Sequence, residues 1–108
     1  MRDGIYHVTF ASNADQGEGL VVLKGSSING GDWGYTYTGP MKPTDTGFST
    51  QLTCKRWNKE SRSIFGTIDE FVLNLDAHEQ GDGFTASGGV KGSNGTIKIR
   101  GTFIAPAA

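Results

Sequence analysis

Few residues of this 108-residue chain have the types and spacing that catalysis requires. Cys54 lies on the apolar face of an alternating strand, so we interpret it as a buried core residue rather than a nucleophile. Glu18 and Asp32 could be imagined as an acid–base pair, but the simpler interpretation is that each satisfies backbone donors at a turn. His7 on an outward strand face and His78 in a turn have no visible orienting partner. With no nucleophile elbow, phosphate-binding loop or zinc-protease motif in the sequence, we predict that the chain is not an enzyme.

One acidic cluster could suggest a metal site, formed by Asp76, His78, Glu79 and Asp82. Calcium loops, however, need a longer and regular ladder of oxygen ligands, and zinc sites need defined His and Cys spacing. We therefore predict neither a metal nor another cofactor.

The one locally basic segment covers residues 55–62 and contains Trp57. Cations and an aromatic ring can contact nucleic acid through phosphate pairing and base stacking. The alternative is a solvated turn with an aromatic anchor. Because the whole chain has a formal net charge of −1, we favour the turn and predict no direct binding to nucleic acid.

Aromatic residues are more informative, since most of them fall at inward positions of alternating strands. They allow two interpretations. One is a packed core, and the other is a cavity lined by aromatic rings with a few polar tips, which would suit an apolar ligand. The candidate cavity residues are Tyr6, Phe10, Trp33, Tyr35, Tyr37, Phe71 and Phe103.

The elements that position these residues are β-strands, as the alternation of apolar and polar residues indicates. Glycine supplies 17 of the 108 residues, which favours many turns and a strongly bent sheet. Short turns between successive strands predict a small antiparallel up-and-down β-barrel, because closure removes exposed sheet edges. About eight strands are expected, at 4–12, 18–24, 28–31, 33–38, 48–57, 67–77, 84–90 and 96–103.

The connections carry predictions of their own. Two prolines make 40–47 a loop, and 77–83 reads as a turn. The pair Gly88-Gly89 should mark a bulge or a sharp bend. Asn94-Gly95 closes a hairpin between the last two strands.

The length and composition bound the class of protein. A chain of 108 residues predicts a single domain over 1–108. No run approaches the roughly 18 apolar residues of a membrane helix, and residues 1–4 lead directly into a strand, so we expect neither a membrane span nor a signal peptide. The single cysteine cannot form an internal disulfide. Together these features predict a cytoplasmic protein.

Short motifs follow one another in the first third of the chain, namely Asp3-Gly4-Ile5-Tyr6, Phe10-Ala11-Ser12-Asn13, Gly17-Glu18-Gly19, Gly30-Gly31-Asp32 and Tyr37-Thr38-Gly39. In this order they resemble the amino-terminal signature of the GrlR family, which are small bacterial negative regulators of type III secretion genes. The closing Phe103-Ile104-x-Pro106 is similar as well.

This resemblance implies a lipocalin-like barrel that forms homodimers and that binds and restrains a transcriptional activator rather than contacting DNA. In that family an acidic loop after the Tyr-x-Gly strand is tied to the contact. The corresponding loop here is 40–47, whose only acid is Asp45, and the residues to test are Met41, Lys42, Thr44 and Asp45. The alternative function is a lipocalin-like binder or sensor of a small apolar ligand held in the barrel interior.

Overall fold

A computed structural model describes residues 1–12, 15–61 and 68–108. Within these ranges the chain forms β-strands and no helix, which confirms the predicted all-β class. The strands are β1 (Gly4–Ala11), β2 (Gln16–Lys24), β3 (Ser27–Gly31), β4 (Tyr35–Pro40), β5 (Lys42–Pro43), β6 (Gly47–Arg56), β7 (Glu70–Gln80), β8 (Gly83–Val90) and β9 (Thr96–Ala105).

Eight of these strands close into an antiparallel barrel, as the sequence predicts. Most strands pair with the strands that precede and follow them in the chain, which is the up-and-down arrangement. Two further pairings, β4 with β6 and β1 with β9, complete the closure. The remaining two-residue strand, β5, only extends the edge of β6 beside Phe48 and Ser49.

The core follows directly from the period-2 alternation. Inward positions of the strands are buried and outward positions are mostly exposed, as in the alternating burial of β6. The buried apolar side chains include Tyr6, Val8, Val21, Leu23, Ile28, Leu52, Leu73, Leu75 and Ile97. Removing each such side chain from water contributes about 1.5–3 kcal/mol, so this inner layer supplies most of the driving force for folding.

Glycines facing aromatic rings shape the sheet. Phe84 lies opposite Gly101 in the β8–β9 pair, and Phe10 lies opposite Gly17 in the β1–β2 pair. A Cβ atom added to Gly101 would lie 2.2 Å from the Phe84 ring, and one added to Gly17 would lie 2.6 Å from the Phe10 ring. Both rings therefore cover bare backbone, which favours tight curvature of the barrel wall.

The structure corrects two of the predictions for β7 and β8. β7 continues to Gln80, because its polar residues after Ala77 are exposed strand residues and not a turn. Pairing passes through Gly88 and Gly89 without a register shift, so the predicted bulge is wrong. A Cβ atom at Gly88 would lie 1.8 Å from the carbonyl oxygen of Asn74, and this close approach explains the glycine.

The predicted loop at 40–47 is partly regular, since Pro40 ends β4 and Lys42–Pro43 forms β5. The strand predicted at 67–77 begins at Glu70, and residue 67 lies outside the described residues. The last two strands form the predicted hairpin, although β9 runs on to Ala105.

The barrel has two ends, which we call the base and the rim. The base carries residues 1–3, the β2–β3 turn, the loop 40–47 and the β7–β8 turn. Hydrogen bonds join these segments, for example from the Met41 N–H to the Ser26 carbonyl oxygen at 2.7 Å. The rim carries the β3–β4 and β8–β9 connections and the described parts of the β1–β2 and β6–β7 connections.

Candidate functional site: the cavity and the rim

Asp32 organises the β3–β4 turn at the rim. One carboxylate oxygen, Oδ1, accepts the N–H groups of Gly34 and Tyr35, both at 2.8 Å. The other, Oδ2, accepts a hydrogen bond from the hydroxyl group of Tyr37. The prediction that Asp32 satisfies backbone donors at a turn is therefore confirmed. The same prediction for Glu18 is wrong, because Glu18 lies within β2 and its side chain contacts His7 at 3.0 Å.

Hydrogen bonds join the β3–β4 turn to the start of the β6–β7 connection. The indole Nε1–H of Trp57 donates to the Asp32 carbonyl oxygen at 3.1 Å, and its backbone N–H donates to the Gly34 carbonyl oxygen at 3.0 Å. The side-chain amide of Asn58 donates to the Trp33 carbonyl oxygen at 3.2 Å. These bonds hold the β3–β4 turn against Trp57 and Asn58.

Two tryptophans are exposed on this part of the rim. Trp33 is 70% exposed and Trp57 is 57% exposed. Trp33 was expected to share the inward face of Tyr35 and Tyr37, and this expectation is wrong because β4 begins only at Tyr35. Trp33 instead lies in the turn and borders the opening of the interior.

An interior cavity of about 430 Å³ extends from the rim into the barrel. Ligand pockets in proteins have volumes of roughly 300–1,000 Å³, so this space is large enough for a small molecule. Five of the candidate cavity residues line it, namely Phe10, Trp33, Tyr35, Tyr37 and Phe71.

Tyr6 and Phe103 lie outside the cavity lining, towards the base. Tyr6 is fully buried, and its ring centroid lies 5.5 Å from that of Phe103 and 5.7 Å from that of Phe84. Its hydroxyl donates to the Arg2 carbonyl oxygen at 2.5 Å, and the Arg2 guanidinium covers the Phe103 ring. The aromatic residues thus divide into a packed base and an open upper cavity.

Thr50 is a cavity residue that the sequence did not single out. It lies on the inward face of β6 and is only 5% exposed. Among the described residues, Thr50 Oγ1 is the buried side-chain oxygen or nitrogen without a hydrogen-bond partner. The sequence did contain a signal for this residue. Thr50 alternates with Phe48 and Leu52 on one face of the strand, so its hydroxyl group had to point into an apolar interior.

The cavity disfavours negative charge. Burial raises the pKa of the Cys54 thiol to about 12, and the nearby negative charge of Asp32 adds to the increase. The pKa of the Tyr37 hydroxyl is also raised well above its ordinary value, first by burial and then by its hydrogen bond to Asp32. Cys54 is 1% exposed, which confirms its interpretation as a core residue.

The loop 40–47 lies at the base, away from the cavity opening. Lys42, Thr44 and Asp45 are exposed, whereas Met41 is partly buried and packs against the core. The Thr44 N–H donates to the Gly47 carbonyl oxygen at 3.0 Å, and the Glu79 N–H donates to the Thr46 carbonyl oxygen at 2.8 Å. The structure therefore brings the four predicted partner-binding residues together on one anchored segment.

The acidic cluster on β7 and in the β7–β8 turn makes other contacts. His78 Nδ1 lies 2.6 Å from the Thr46 hydroxyl, Glu79 lies 3.6 Å from the N-terminal amine, and Asp82 lies 3.9 Å from Arg2. The described part of the chain contains no group of three or more His, Cys, Asp or Glu residues placed to hold a metal ion.

The basic segment is partly paired. Lys55 lies 3.7 Å from Glu70, and Arg56 donates to Asp69 at 2.5 Å. Residue 62, which the sequence analysis included in this segment, lies outside the described residues.

Apolar side chains also form a patch on the outer wall. Leu20 and Ile104 are exposed, and Ile5 and Val22, which are cross-strand partners, are partly exposed beside them. We call these four residues on β1, β2 and β9 the outer patch. A search of the described residues finds no helix long and apolar enough to cross a membrane.

Fold and cavity together define a small closed eight-stranded β-barrel with an interior large enough for a ligand. The model of the GrlR family, described as a negative regulator of type III secretion, matches residues 1–104. The chain therefore belongs to the GrlR family, and the resemblance seen in its first third extends over nearly all of its length. A comparison with curated proteins gives no match.

Proposed function

We propose that this chain lowers the expression of type III secretion genes by binding a protein partner, a transcriptional activator, in the cytoplasm. The match of the GrlR model to residues 1–104 carries the regulatory part of the proposal. The protein–protein mechanism is supported by the anchored and exposed loop at the base.

The loop 40–47 has features that suit a contact surface. Exposed residues follow one another from Lys42 to Thr46, so a partner can reach several adjacent side chains. The β5–β6 pairing and the backbone bonds of Met41 and Thr44 hold the segment in place. A loop that is ordered before binding loses less conformational entropy in the complex, and this raises affinity.

The experiment is a binding measurement between the purified chain and the type III secretion activators of its own organism. We expect one activator to bind, and Asp45→Lys to weaken its affinity by roughly tenfold, equivalent to about 1.4 kcal/mol. The same charge reversal at the exposed Asp15, at the rim, is the matched control and should leave the affinity unchanged. A reporter gene driven by the activator should be repressed by the wild type and by the control variant, and repressed less by Asp45→Lys.

Two results would contradict the proposal. Failure of every such activator to bind would exclude the protein–protein mechanism. Equal affinities for the wild type, Asp45→Lys and Lys42→Glu would exclude the loop as the contact, and a loss of affinity in Trp57→Ala would then place the contact at the rim.

We also propose that the outer patch is the face on which two copies associate. Exposed Leu20 and Ile104 flank the partly exposed pair Ile5 and Val22, so the patch is continuous across three neighbouring strands. Continuous apolar surface on a barrel wall is typical of protein interfaces. A two-fold arrangement would place the same patch of both copies in contact.

A further inference from the structure

Among the described residues that line the cavity, one buried hydroxyl group has no hydrogen-bond partner. Thr50 Oγ1 is buried and has no hydrogen-bond partner in the described part of the chain. An unpartnered buried hydroxyl is destabilising, because it loses its bonds to water and gains none in return. Around it the wall is apolar, with Leu52, Leu73 and Leu75 among the lining residues.

Three other polar side chains that line the cavity, those of Tyr35, Tyr37 and Asp32, are already paired. The Tyr37 hydroxyl donates to Asp32, and the Tyr35 hydroxyl donates to the Ile68 carbonyl oxygen at 2.5 Å. The two Asp32 carboxylate oxygens accept bonds from Gly34, Tyr35 and Tyr37. Among the buried side chains of the described cavity wall, Thr50 is therefore the position where a ligand's polar group would gain a hydrogen bond.

Charge at the opening limits the class of ligand. Asp15 and Asp32 both border the cavity, and a carboxylate in an apolar space repels a second negative charge. The raised pKa values of the Cys54 thiol and the Tyr37 hydroxyl report the same environment, since both groups resist becoming anions. A fatty acid anion would face this repulsion, and a neutral molecule would not.

We propose that the cavity binds one small uncharged apolar molecule with a single hydrogen-bonding group, such as an alcohol or a ketone, and that this group bonds to Thr50 Oγ1. The hydroxyl of Thr50 can donate to a ketone or alcohol oxygen and can accept from an alcohol. The apolar part of the ligand fills the space beneath the rim.

The test compares two probes of equal chain length, 1-decanol and decanoate, by calorimetric titration of the purified full chain at pH 7. We expect 1-decanol to bind with one molecule per barrel and decanoate to bind at least about tenfold more weakly, because the carboxylate enters an anionic site. In the methyl NMR spectrum, 1-decanol should shift signals of cavity residues such as Val21 and Leu73 and leave the exposed Ile104 unchanged.

Thr50→Val tests the hydrogen bond, because valine has nearly the shape of threonine and lacks the hydroxyl. The affinity for 1-decanol should fall roughly three- to tenfold, the usual effect of one neutral hydrogen bond. Thr53→Val, on the outward side of the same strand, is the matched control and should bind as the wild type does.

Three results would overturn the proposal. These are no binding of 1-decanol, equal or tighter binding of decanoate, and unchanged 1-decanol affinity in a folded Thr50→Val protein. None of them bears on the activator contact at the base, so the two proposals fail separately.

Discussion

Cys54 illustrates how the barrel interior changes the chemistry of a single side chain. Its pKa is raised from an ordinary value of 9.0 to about 12, chiefly by burial and secondly by the charge of Asp32. In the folded state the thiol therefore keeps its proton at pH values where the unfolded chain would lose it. The effect on the free energy of unfolding follows from this difference. Below pH 9 the thiol is protonated in both states and the native state keeps its full stability, and as the pH rises from 9 to 12 the free energy of unfolding falls.

We predict a measurable alkaline loss of stability that depends on Cys54. Above pH 9 the free energy of unfolding should fall by up to about 1.4 kcal/mol per pH unit for this group. Tyr37 adds to the fall, because its pKa is raised in the same direction. In Cys54→Ala the slope above pH 9 should become shallower, as measured by urea unfolding between pH 8 and pH 11.

The control for this experiment is Val8→Ala, which also removes buried atoms but titrates no group. It should lower the stability by a similar amount at every pH, since only packing is lost. Parallel pH profiles for Cys54→Ala and the wild type would contradict the interpretation of the Cys54 pKa.

For individual residues, the sequence predicted which side chains are buried better than it predicted their hydrogen-bond partners. The inward position of Cys54 follows from alternation alone. Trp33 was misplaced, because the predicted strand began at residue 33 and β4 begins two residues later, which leaves Trp33 in the turn. The hydrogen bonds of His7 with Glu18 and of His78 with Thr46 depend on strand register, which the sequence does not fix.

The stability of the β3–β4 turn depends on the side chain of Asp32. We predict that Asp32→Asn lowers the free energy of unfolding by about 1.5–3 kcal/mol, the usual value of a hydrogen bond to a charged group. The amide oxygen can still accept from Gly34 and Tyr35, but the carboxylate oxygen that accepts from Tyr37 is lost. For a chain of this size the melting temperature should fall by roughly 5 °C or more.

The matched control for Asp32→Asn is Asp76→Asn, the same substitution at an exposed position on β7. Its melting temperature should stay within about 2 °C of the wild type, because surface substitutions away from special contacts have small effects. Equal melting temperatures for both variants would show that the carboxylate of Asp32 does not stabilise the turn.

The strands themselves were predictable because each buries one face, and burial of one face requires apolar and polar residues to alternate along the sequence. The end of β7 was missed because His78, Glu79 and Gln80 are exposed strand residues with the composition of a turn. The bulge predicted at Gly88 failed because that glycine serves a close backbone approach, which depends on a neighbouring strand.

At the scale of the whole molecule, the outer patch gives the prediction for association. Leu20→Glu places a charge in the patch without touching the core, so the proposed dimer should dissociate to a monomer. Sedimentation velocity of the wild type and the variant measures this directly. Gln51→Glu adds the same charge to the exposed side of β6, on the opposite wall, and should leave the dimer intact.

A monomeric wild type at micromolar concentration, or a Leu20→Glu protein that remains dimeric, would rule out association through this patch.

The closed barrel was predictable from short turns between successive strands. The division of its aromatic residues into base and cavity was not, because Tyr6 and Phe103 point inward just as Tyr35 and Tyr37 do.

The position of the tryptophans gives the molecule a built-in optical label. The chain contains two tryptophans, and both lie at the rim, where Trp33 borders the cavity and the Trp57 indole bonds to Asp32. Tryptophan fluorescence therefore reports on the rim and not on the base of the barrel. A molecule that enters the interior should shift the wavelength of maximum tryptophan emission. A partner without tryptophan that binds the loop 40–47 should leave that wavelength unchanged, so the emission spectrum distinguishes the two events without an added dye.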